Sequence, residues 1–392
     1  MSAQTMSPFG PAYGFGLYVH WPYCSRICPY CDFNVYAAKD RGADDALAAA
    51  IVKDISLHVP RLPKHGHLDT VYFGGGTPSL MRPEQVASML DGAQQAFGLK
   101  PGAEVTLEAN PNDVLRMDLP AFAAAGVNRL SIGLQSMRDD VLKFLGRDHT
   151  AIQAQEAVAK ALRVFPNTSI DLIYAIPGQT KAAWAEELTA AVGLGAPHLS
   201  LYELTIEQRT VFGKAVERGE FAPMDDDGQA DLYELTQEIT LAAGLPAYEV
   251  SNHARAPEYQ SRHNLIYWRG GDWIGVGPGA HGRLTVDGKR YATEAHKRPP
   301  AYQANIQALG AGWEKGAPLY PVDIAKELLA MGLRSEQGIS RARVEAVSGR
   351  TIDDDKIQAF CDEGWMVRDA ERLMLTPAGR LLADALTAHL AP

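Results

Sequence analysis

The sequence predicts an α/β fold, namely a partial (β/α)6 barrel with a smaller, mainly helical C-terminal domain. From Phe15 to Glu207, short apolar runs alternate with polar or glycine-rich turns and with helix-like stretches rich in Ala and Leu, which is typical of a parallel sheet covered by helices. Nearly every apolar run ends in a polar or glycine-rich patch. The carboxyl ends of barrel strands form one mouth, where the chemistry of such folds lies. An open, doubly wound sheet is the alternative architecture.

Six segments have the length and composition of buried strands. They are GLYVHW (16–21), DTVYFGGG (69–76), EVTLEANP (104–111), VNRLSIGLQS (127–136), TSIDLIYAIPG (168–178) and HLSLYELTIE (198–207). Between them, segments such as AIQAQEAVAKALRVF and KAAWAEELTAAVGLG combine strong helix formers with helical apolar spacing. Six units are fewer than the eight of a closed barrel, so the sequence predicts an incomplete one.

The pattern changes after residue 207 and again near Pro318, which predicts four parts of the chain. They are residues 1–14 as a flexible N-terminal tail, 15–207 as the barrel core, 208–317 as a barrel extension, and 318–392 as a helical or winged-helix-like domain. Within the extension, LPAYEVSNHARA predicts a strand that leads to a loop. An aromatic-rich segment, YQSRHNLIYWRGGDWIGVGPGAHGR, follows it.

The composition indicates a cytoplasmic globular protein. The 392 residues are 46% hydrophobic and 21% charged, and their net charge of -10 does not indicate nucleic acid or an anionic membrane as the main partner. No apolar run is long enough to span a bilayer, and the N-terminus lacks the features of a secretory signal; peripheral membrane contact stays open. Three of the four cysteines lie within eight residues, a poor disulfide framework that favours a reducing compartment and a metal.

Cys24, Cys28 and Cys31 form the pattern C-x3-C-x2-C just after the first strand candidate. Clustered thiolates favour zinc or an iron–sulfur cluster. Structural zinc sites normally have four protein ligands, and no fourth Cys or His follows at a suitable spacing. Three thiolates on a [4Fe-4S] cluster leave one iron open to chelate S-adenosylmethionine (SAM), whose sulfonium the cluster's electron can cleave. Zinc and isolated structural cysteines are the alternatives.

This cysteine loop, with Tyr30 before its last cysteine, resembles that of the radical SAM superfamily, and YFGGGTPS resembles the superfamily's glycine-rich strand. The resemblance implies a partial (β/α)6 barrel, a [4Fe-4S] cluster and SAM. In more detail the chain resembles the oxygen-independent coproporphyrinogen III oxidases and their HemW-type haem-chaperone relatives. The motifs that carry this resemblance are LYVHWPYC, YFGGGTPSL, TLEANP, RLSIGLQS, LGRDH, IDLIYAIPGQ and LSLYELTIE.

The resemblance also implies roles for single residues. Those implied to contact the cluster-bound SAM are Tyr18, Gly75 and Glu108. Those that match positions around a second SAM in the oxidases are Tyr30, Gly76, Thr77, Gln135, Arg147 and Asp171. A carboxylate at a strand end suits an ammonium group, and a guanidinium suits a carboxylate. Taken alone, each charged residue would be assigned to a surface ion pair.

Two departures separate the chain from the oxidases that it resembles. The cysteine loop of the oxidases has the pattern C-x3-C-x2-C-x-C, whereas Phe33 occupies the position of the last cysteine here. The oxidases also carry a sizeable extension before the barrel, whereas only fifteen residues precede the first strand candidate here. In addition, HNLIYW (263–268) resembles the H-N-x-x-Y-W motif of HemW-type proteins, which is associated with haem. An imidazole beside aromatic rings suits a porphyrin, so His263, Tyr267 and Trp268 are candidates for haem binding.

Other interpretations of these histidines and of the function stay open. His263 could instead hydrogen-bond within a loop that closes the barrel, and His281, His253 and Cys361 are further candidates for the haem ligand. The sequence favours a haem chaperone that binds a [4Fe-4S] cluster, SAM and haem and passes haem to an acceptor protein that it does not identify. We expect no coproporphyrinogen oxidase activity, while SAM cleavage stays open. The alternatives are an oxygen-independent coproporphyrinogen III dehydrogenase and a radical SAM enzyme with an unrelated substrate.

Overall fold

The computed structural model describes residues 7–38, 44–62, 65–309 and 312–391. The strands are β1 Phe15–Trp21, β2 Tyr23–Cys24, β3 Tyr36–Ala37, β4 Leu68–Gly75, β5 Leu99–Ala109, β6 Arg129–Gln135, β7 Thr168–Tyr174, β8 His198–Glu203, β9 Asn252–Ala254, β10 Asp272–Val276, β11 His281–Val286, β12 Lys289–Ala295, β13 Trp313–Pro318, β14 Ile339–Ser340, β15 Met366–Arg368 and β16 Arg372–Leu375. The helices are α1 Asp44–Leu57, α2 Pro83–Ala96, α3 Pro111–Arg116, α4 Leu119–Ala124, α5 Asp139–Phe144, α6 Ala151–Leu162, α7 Lys181–Val192, α8 Val211–Glu217, α9 Asp226–Ala242, α10 Arg262–Trp268, α11 Pro299–Leu309, α12 Pro321–Arg334, α13 Arg341–Ser348, α14 Asp354–Asp362, α15 Pro377–Arg380 and α16 Ala383–Leu390.

One large sheet organises the barrel. Within the described residues it has eleven strands in the order β13-β12-β11-β10-β1-β4-β5-β6-β7-β8-β9. The run β1-β4-β5-β6-β7-β8 is parallel throughout. Each strand is followed by a helical connection that brings the chain back to the end of the sheet where the strands begin, so that the next strand runs in the same direction. The predicted α/β fold and its six parallel units are confirmed.

The helices pack on the outside of this sheet through apolar side chains. Leu17 and Val19 of β1 and Ile132 of β6 are fully buried in the main core. On α7, the indole of Trp184 stacks on the ring of Tyr174 of β7 with centroids 5.1 Å apart. Burial of such side chains stabilises the fold by about 1.5–3 kcal/mol each. The other face of the parallel strands is therefore left free to line the barrel interior.

Several predicted boundaries shift. The third strand starts earlier than predicted and ends at Ala109, because Pro111 begins α3 and Asn110 is its N-cap. LPAYEVSNHARA contributes only the short strand β9. The aromatic-rich segment contains helix α10 and then β10, which pairs in parallel with β1. The extension therefore adds strands to the same sheet.

The smaller C-terminal domain has its own core. Helices α12 to α16 surround a three-stranded sheet in the order β14-β16-β15. Phe9, which is only 7% exposed, belongs to this second core, and the Arg343 guanidinium lies 3.5 Å from the ring centroid of Tyr13. The described part of the expected flexible tail, residues 7–14, is thus packed, and residues 1–6 lie outside the described residues. The domain boundaries at 207 and 317 stay predictions.

Candidate functional site

A cavity of about 390 Å³ lies at the carboxyl ends of the parallel strands. The predicted site residues that line it are Cys24, Cys28, Tyr30, Cys31, Gly75, Gly76, Thr77, Glu108, Gln135, Arg147 and Asp171. They come from the cysteine loop, from the carboxyl ends of β4 to β7 and, for Arg147, from the connection between α5 and α6, which supports the expectation that the strand ends meet at one mouth. Tyr18 and the haem candidates His263, Tyr267 and Trp268 are not among the lining residues.

The cysteine loop is fixed at both ends. Strands β2 and β3 pair in parallel, and the backbone N–H of Tyr36 donates to the carbonyl of Pro22 at 2.7 Å. Cys24 is buried, whereas Cys28 and Cys31 are half-buried. Burial, together with the other two thiols nearby, raises the pKa of Cys31 to about 11. Burial also raises the pKa of Cys24, and a positively charged centre that binds both thiolates would favour their deprotonation.

The donor set fits an iron–sulfur cluster better than a single ion. Among the described residues, no three His, Cys, Asp or Glu side chains are arranged to hold one metal ion. The three thiols nevertheless line one wall of the same cavity. A four-iron cluster takes each thiolate on a different iron atom, so its ligands surround a volume instead of converging on a point. Cys24, Cys28 and Cys31 would be those ligands.

The glycine-rich end of β4 brings bare backbone against the cysteine loop. The N–H groups of Gly76 and Thr77 donate to the carbonyls of Trp21 and Tyr23 at 2.8 and 2.9 Å. A Cβ at Gly76 would lie 2.8 Å from the Tyr23 carbonyl oxygen, which is too close. Gly75 has φ 110°, a conformation that side chains disfavour. This stretch therefore requires glycine and leaves room for a ligand beside it.

Glu108 is a buried carboxylate at the end of β5. The Tyr72 hydroxyl donates to its Oε1 at 2.8 Å, and the Gly75 N–H donates to its Oε2 at 3.2 Å. Burial raises the pKa of Glu108 to about 7, and Asp171 adds to the shift while the two hydrogen bonds oppose it. A cationic ligand in the cavity would favour the ionised form. Glu108 is thus suited to bind an ammonium group.

Arg147 links the cysteine loop to the strand ends. Its Nη1 lies 3.3 Å from the sulfur of Cys28, and its Nη2 donates to Asn110 Oδ1 at 2.6 Å and to the Gly133 carbonyl at 3.0 Å. Gln135, which also lines the cavity, has φ 67°. The left-handed backbone of Gln135 is strained for a residue other than glycine, and such strain concentrates at functional sites.

Deeper in the barrel, Asp171 is surrounded by hydroxyl groups. Ser131 Oγ donates to both of its carboxylate oxygens at 3.1 and 3.0 Å, and Ser169 Oγ donates at 3.3 Å. Burial raises the pKa of Asp171, and these hydrogen bonds oppose the shift. The side chain of Thr106, which also lines the cavity, has a buried hydroxyl without a partner among the described residues. The cavity floor is therefore polar.

The haem candidates of the HNLIYW motif lie behind the cavity wall. The His263 imidazole is 1% exposed, with Nδ1 2.6 Å from Thr70 Oγ1 and Nε2 2.7 Å from the Tyr267 hydroxyl. Burial lowers the pKa of His263 to about 3. To bind iron, this imidazole would have to give up a hydrogen bond and leave a closed environment. Trp268 is half-buried on the same helix, beneath the guanidinium of Arg334.

Tyr18 also lies outside the cavity. Its hydroxyl is 3.2 Å from His20 Nδ1, and its ring stacks on that of Tyr72 with centroids 6.2 Å apart. Tyr72, which lines the cavity and holds Glu108, was not predicted as a site residue. The alternation of side chains along DTVYFGGG places Tyr72 on the same face as the barrel interior, and that signal could have identified it. The serines around Asp171 carry no comparable sequence signal.

Comparisons with known proteins agree with this geometry. Residues 18–190 match the family model of the radical SAM superfamily, and residues 319–382 match that of the HemN C-terminal domain. The chain is 40% identical over 397 residues to the mitochondrial protein "Radical S-adenosyl methionine domain-containing protein 1" of Bos taurus, covering 98% of this chain and 89% of the relative. It is 39% identical over 385 residues to "Heme chaperone HemW" of Mycobacterium tuberculosis, covering 96% of this chain and 94% of the relative.

A solved structure shows the same fold. Coproporphyrinogen III oxidase (HemN) from Escherichia coli, described as a radical SAM enzyme, matches with a TM-score of 0.78 and covers 99% of this chain and 91% of its own. Its identity of 20% supports the fold alone. The near-complete coverage of the relatives at 39–40% identity identifies the family. The chain therefore belongs to the radical SAM superfamily and, within it, to the HemW-type family.

Proposed function

We propose that this protein is a haem chaperone that binds a [4Fe-4S] cluster and SAM in the barrel mouth, binds haem, and passes haem to an acceptor protein. The observation that carries the proposal is that the three thiols, the Gly75–Gly76 backbone and Glu108 line one cavity. A bound cluster supplies the electron that can cleave the SAM sulfonium. The haem part of the proposal is supported by the relatives that are named heme chaperones.

The residues of this chain have distinct roles in the proposal. Cys24, Cys28 and Cys31 hold the cluster, and Glu108 accepts hydrogen bonds from the SAM ammonium group. Arg147, which already lies 3.3 Å from Cys28 Sγ, orients a ligand carboxylate at the same wall. Residues matched to a second SAM, which line the cavity as well, are Tyr30, Gly76, Thr77, Gln135 and Asp171. Tyr18 acts through its stack on Tyr72 rather than by direct contact.

Phe33 favours a chaperone over a coproporphyrinogen III dehydrogenase. It stands where the oxidases carry a fourth cysteine, and its side chain is 63% exposed at the rim of the cavity. An exposed phenyl group there presents apolar surface to a partner or to a flat macrocycle. The cavity itself retains Gln135, Arg147 and Asp171, so the dehydrogenase is the candidate against which the proposal must be tested.

The test is one anaerobic reaction of iron–sulfur-reconstituted protein with SAM, a reductant and coproporphyrinogen III. We expect no decarboxylated porphyrinogen, whether or not 5′-deoxyadenosine forms, and we expect the same preparation to bind haem in a titration. Decarboxylated product over many turnovers would overturn the chaperone and establish the dehydrogenase. Failure of the reconstituted protein to bind haem would also overturn the proposal.

The proposed place of action is the cytoplasm. All four cysteines are free, which agrees with a reducing compartment such as the cytoplasm. Among the described residues, no helix is long and apolar enough to cross a membrane. We propose an acceptor protein without assigning its identity, and peripheral contact with a membrane is compatible with this proposal.

A further inference from the structure

Strands β10 and β11 place an imidazole and an indole on one face of the sheet extension. Trp273 of β10 is the register partner of Arg283 on β11, and directly opposed residues project to the same face. His281 is two residues from Arg283 and therefore shares this face. The Trp273 Nε1–H donates to the His281 carbonyl at 3.0 Å, and the Arg283 guanidinium lies 5.7 Å from the Trp273 ring centroid.

The His281 imidazole is open to a ligand. Its side chain is 61% exposed, and the nearest carboxylate oxygen, on Glu294, is 4.0 Å from Nε2. Among the described residues, no hydrogen bond engages this imidazole. By contrast, both ring nitrogens of His263 are hydrogen-bonded within a closed environment, and His20 and His198 are likewise buried with both nitrogens engaged. Of these four histidines in the described part of the chain, His281 is the one whose side chain is exposed and offers a ring nitrogen to iron.

Cations surround the same surface. Lys297 is 63% exposed and lies 3.4 Å from Glu294, which joins it to His281. Arg298 follows it and is exposed. Against the single carboxylate of Glu294, the two adjacent cations leave a local excess of positive charge that suits the carboxylates of a porphyrin. The indole of Trp273 supplies a flat apolar surface beside the imidazole.

This surface borders the cysteine loop. The side-chain amide of Asn34 donates to the carbonyls of Pro278 and Lys297, both at 2.8 Å. Asn34 directly follows the exposed Phe33. A change in the conformation of the cysteine loop on cluster binding can thus be transmitted through the Asn34 side chain to the surface that carries Trp273 and His281. A haem site here would explain why a haem-handling protein keeps a cluster loop.

We propose that haem binds on this face with His281 as the axial ligand of its iron, the porphyrin against Trp273 and its propionates towards Lys297 and Arg298. The site rests on the haem-chaperone function proposed above and gives it a location. Iron takes an imidazole nitrogen as an axial ligand in many haem proteins. The HNLIYW helix packs on the same face of the sheet and holds the indole in place, because the Tyr267 ring lies against Trp273 with centroids 4.6 Å apart.

The experiment titrates haem into the full-length protein and follows the Soret band. We expect His281→Ala to weaken haem binding at least tenfold and to lose the spectrum of an imidazole-ligated iron, and added imidazole to restore that spectrum. His67→Ala is the matched control, because His67 is also exposed but lies at the amino end of β4. Lys297→Ala should weaken binding about threefold without changing the spectrum.

The outcomes separate the site from the function. If the wild-type protein binds haem and His281→Ala binds it with the same affinity and spectrum, the site is wrong while the chaperone function stands. If the wild-type protein binds no haem, the chaperone function fails and the site falls with it. If imidazole fails to restore the spectrum of a folded His281→Ala protein, His281 is not the iron ligand. Circular dichroism checks that each variant is folded.

Discussion

His263 and Glu108 are joined through a single aromatic ring, that of Tyr72. The His263 imidazole stacks on Tyr72 with centroids 5.1 Å apart, and the Tyr72 hydroxyl donates to Glu108 Oε1 at 2.8 Å. The helix that carries HNLIYW therefore supports the carboxylate assigned to SAM from behind the cavity wall. This arrangement gives the motif a structural role beside the proposed SAM site that does not require it to bind iron.

Removing the Tyr72 hydroxyl should weaken SAM binding most at low pH. The hydrogen bond from Tyr72 lowers the pKa of Glu108, which burial and Asp171 raise to about 7. In Tyr72→Phe that pKa rises further, and a rise of about one unit lowers the ionised fraction at pH 7 roughly fivefold. Calorimetric SAM titrations from pH 6.5 to 8.5 should show a loss of affinity at the acid end that disappears at the alkaline end.

Tyr233→Phe is the control for this experiment. Its hydroxyl is buried without a hydrogen-bond partner among the described residues, and the residue does not line the cavity. We expect it to bind SAM with the wild-type pH dependence. A Tyr72→Phe protein with an unchanged pH profile would show that Glu108 does not bind the SAM ammonium group through its charge.

Buried neutral histidines should make the protein sensitive to acid. Burial lowers the pKa of both His253 and His263 to about 3, whereas the unfolded chain binds these protons near pH 6.5. Because the unfolded state binds protons that the folded state does not bind in this pH range, the free energy of unfolding falls as the pH drops from 6.5 towards 3. Each histidine contributes at most about 1.4 kcal/mol per pH unit.

Urea unfolding at pH 7.5, 6.5 and 5.5 measures this effect. His253→Leu removes one of the two groups, so its stability should fall less steeply between pH 6.5 and 5.5 than that of the wild type. His253 faces a positive charge, that of Arg380, which also disfavours its protonation. His67→Gln, at an exposed site, should keep the wild-type slope. Equal slopes for wild type and His253→Leu would contradict the prediction.

Loss of a single thiol should abolish the cluster without unfolding the chain. Cys28 is half-buried on the loop, with Arg147 3.3 Å from its sulfur, so Cys28→Ser changes little of the packing. We expect iron and sulfide per chain to fall at least fivefold after anaerobic reconstitution. Cys361→Ser is the matched control, because Cys361 packs in the C-terminal core. Full iron content in Cys28→Ser would remove Cys28 from the ligand set.

The sequence predicts this site well where the signals are local. Six parallel strands are recognised because strands buried on both faces are apolar throughout, and the cysteine spacing and glycine run mark two walls of the cavity. What the sequence does not reveal are pairings between distant segments. The insertion of β10 beside β1 and the contact of His263 with Thr70, 193 residues away, depend on tertiary packing. For this reason the sequence leaves open whether His263 binds iron or hydrogen-bonds within the fold, and its burial between Thr70 and Tyr267 is visible only in the structure.

Replacing Gly76 by alanine tests whether the backbone at the end of β4, and not only the side chains around it, forms part of the proposed SAM site. The new Cβ would lie 2.8 Å from the Tyr23 carbonyl oxygen and 2.9 Å from that of Trp21, so the glycine strand would have to move away from β1 and the cysteine loop. Overpacking of this kind costs about 1–3 kcal/mol. We expect Gly76→Ala to lower the melting temperature and to weaken SAM binding more than tenfold. Gly92→Ala is the control, because it lies on helix α2 with its new Cβ 3.2 Å from the Val52 side chain of α1, and we expect it to bind SAM like the wild type. Wild-type SAM affinity in Gly76→Ala would mean that the ligand does not approach this backbone, and the assignment of YFGGGTPS to SAM would have to be withdrawn.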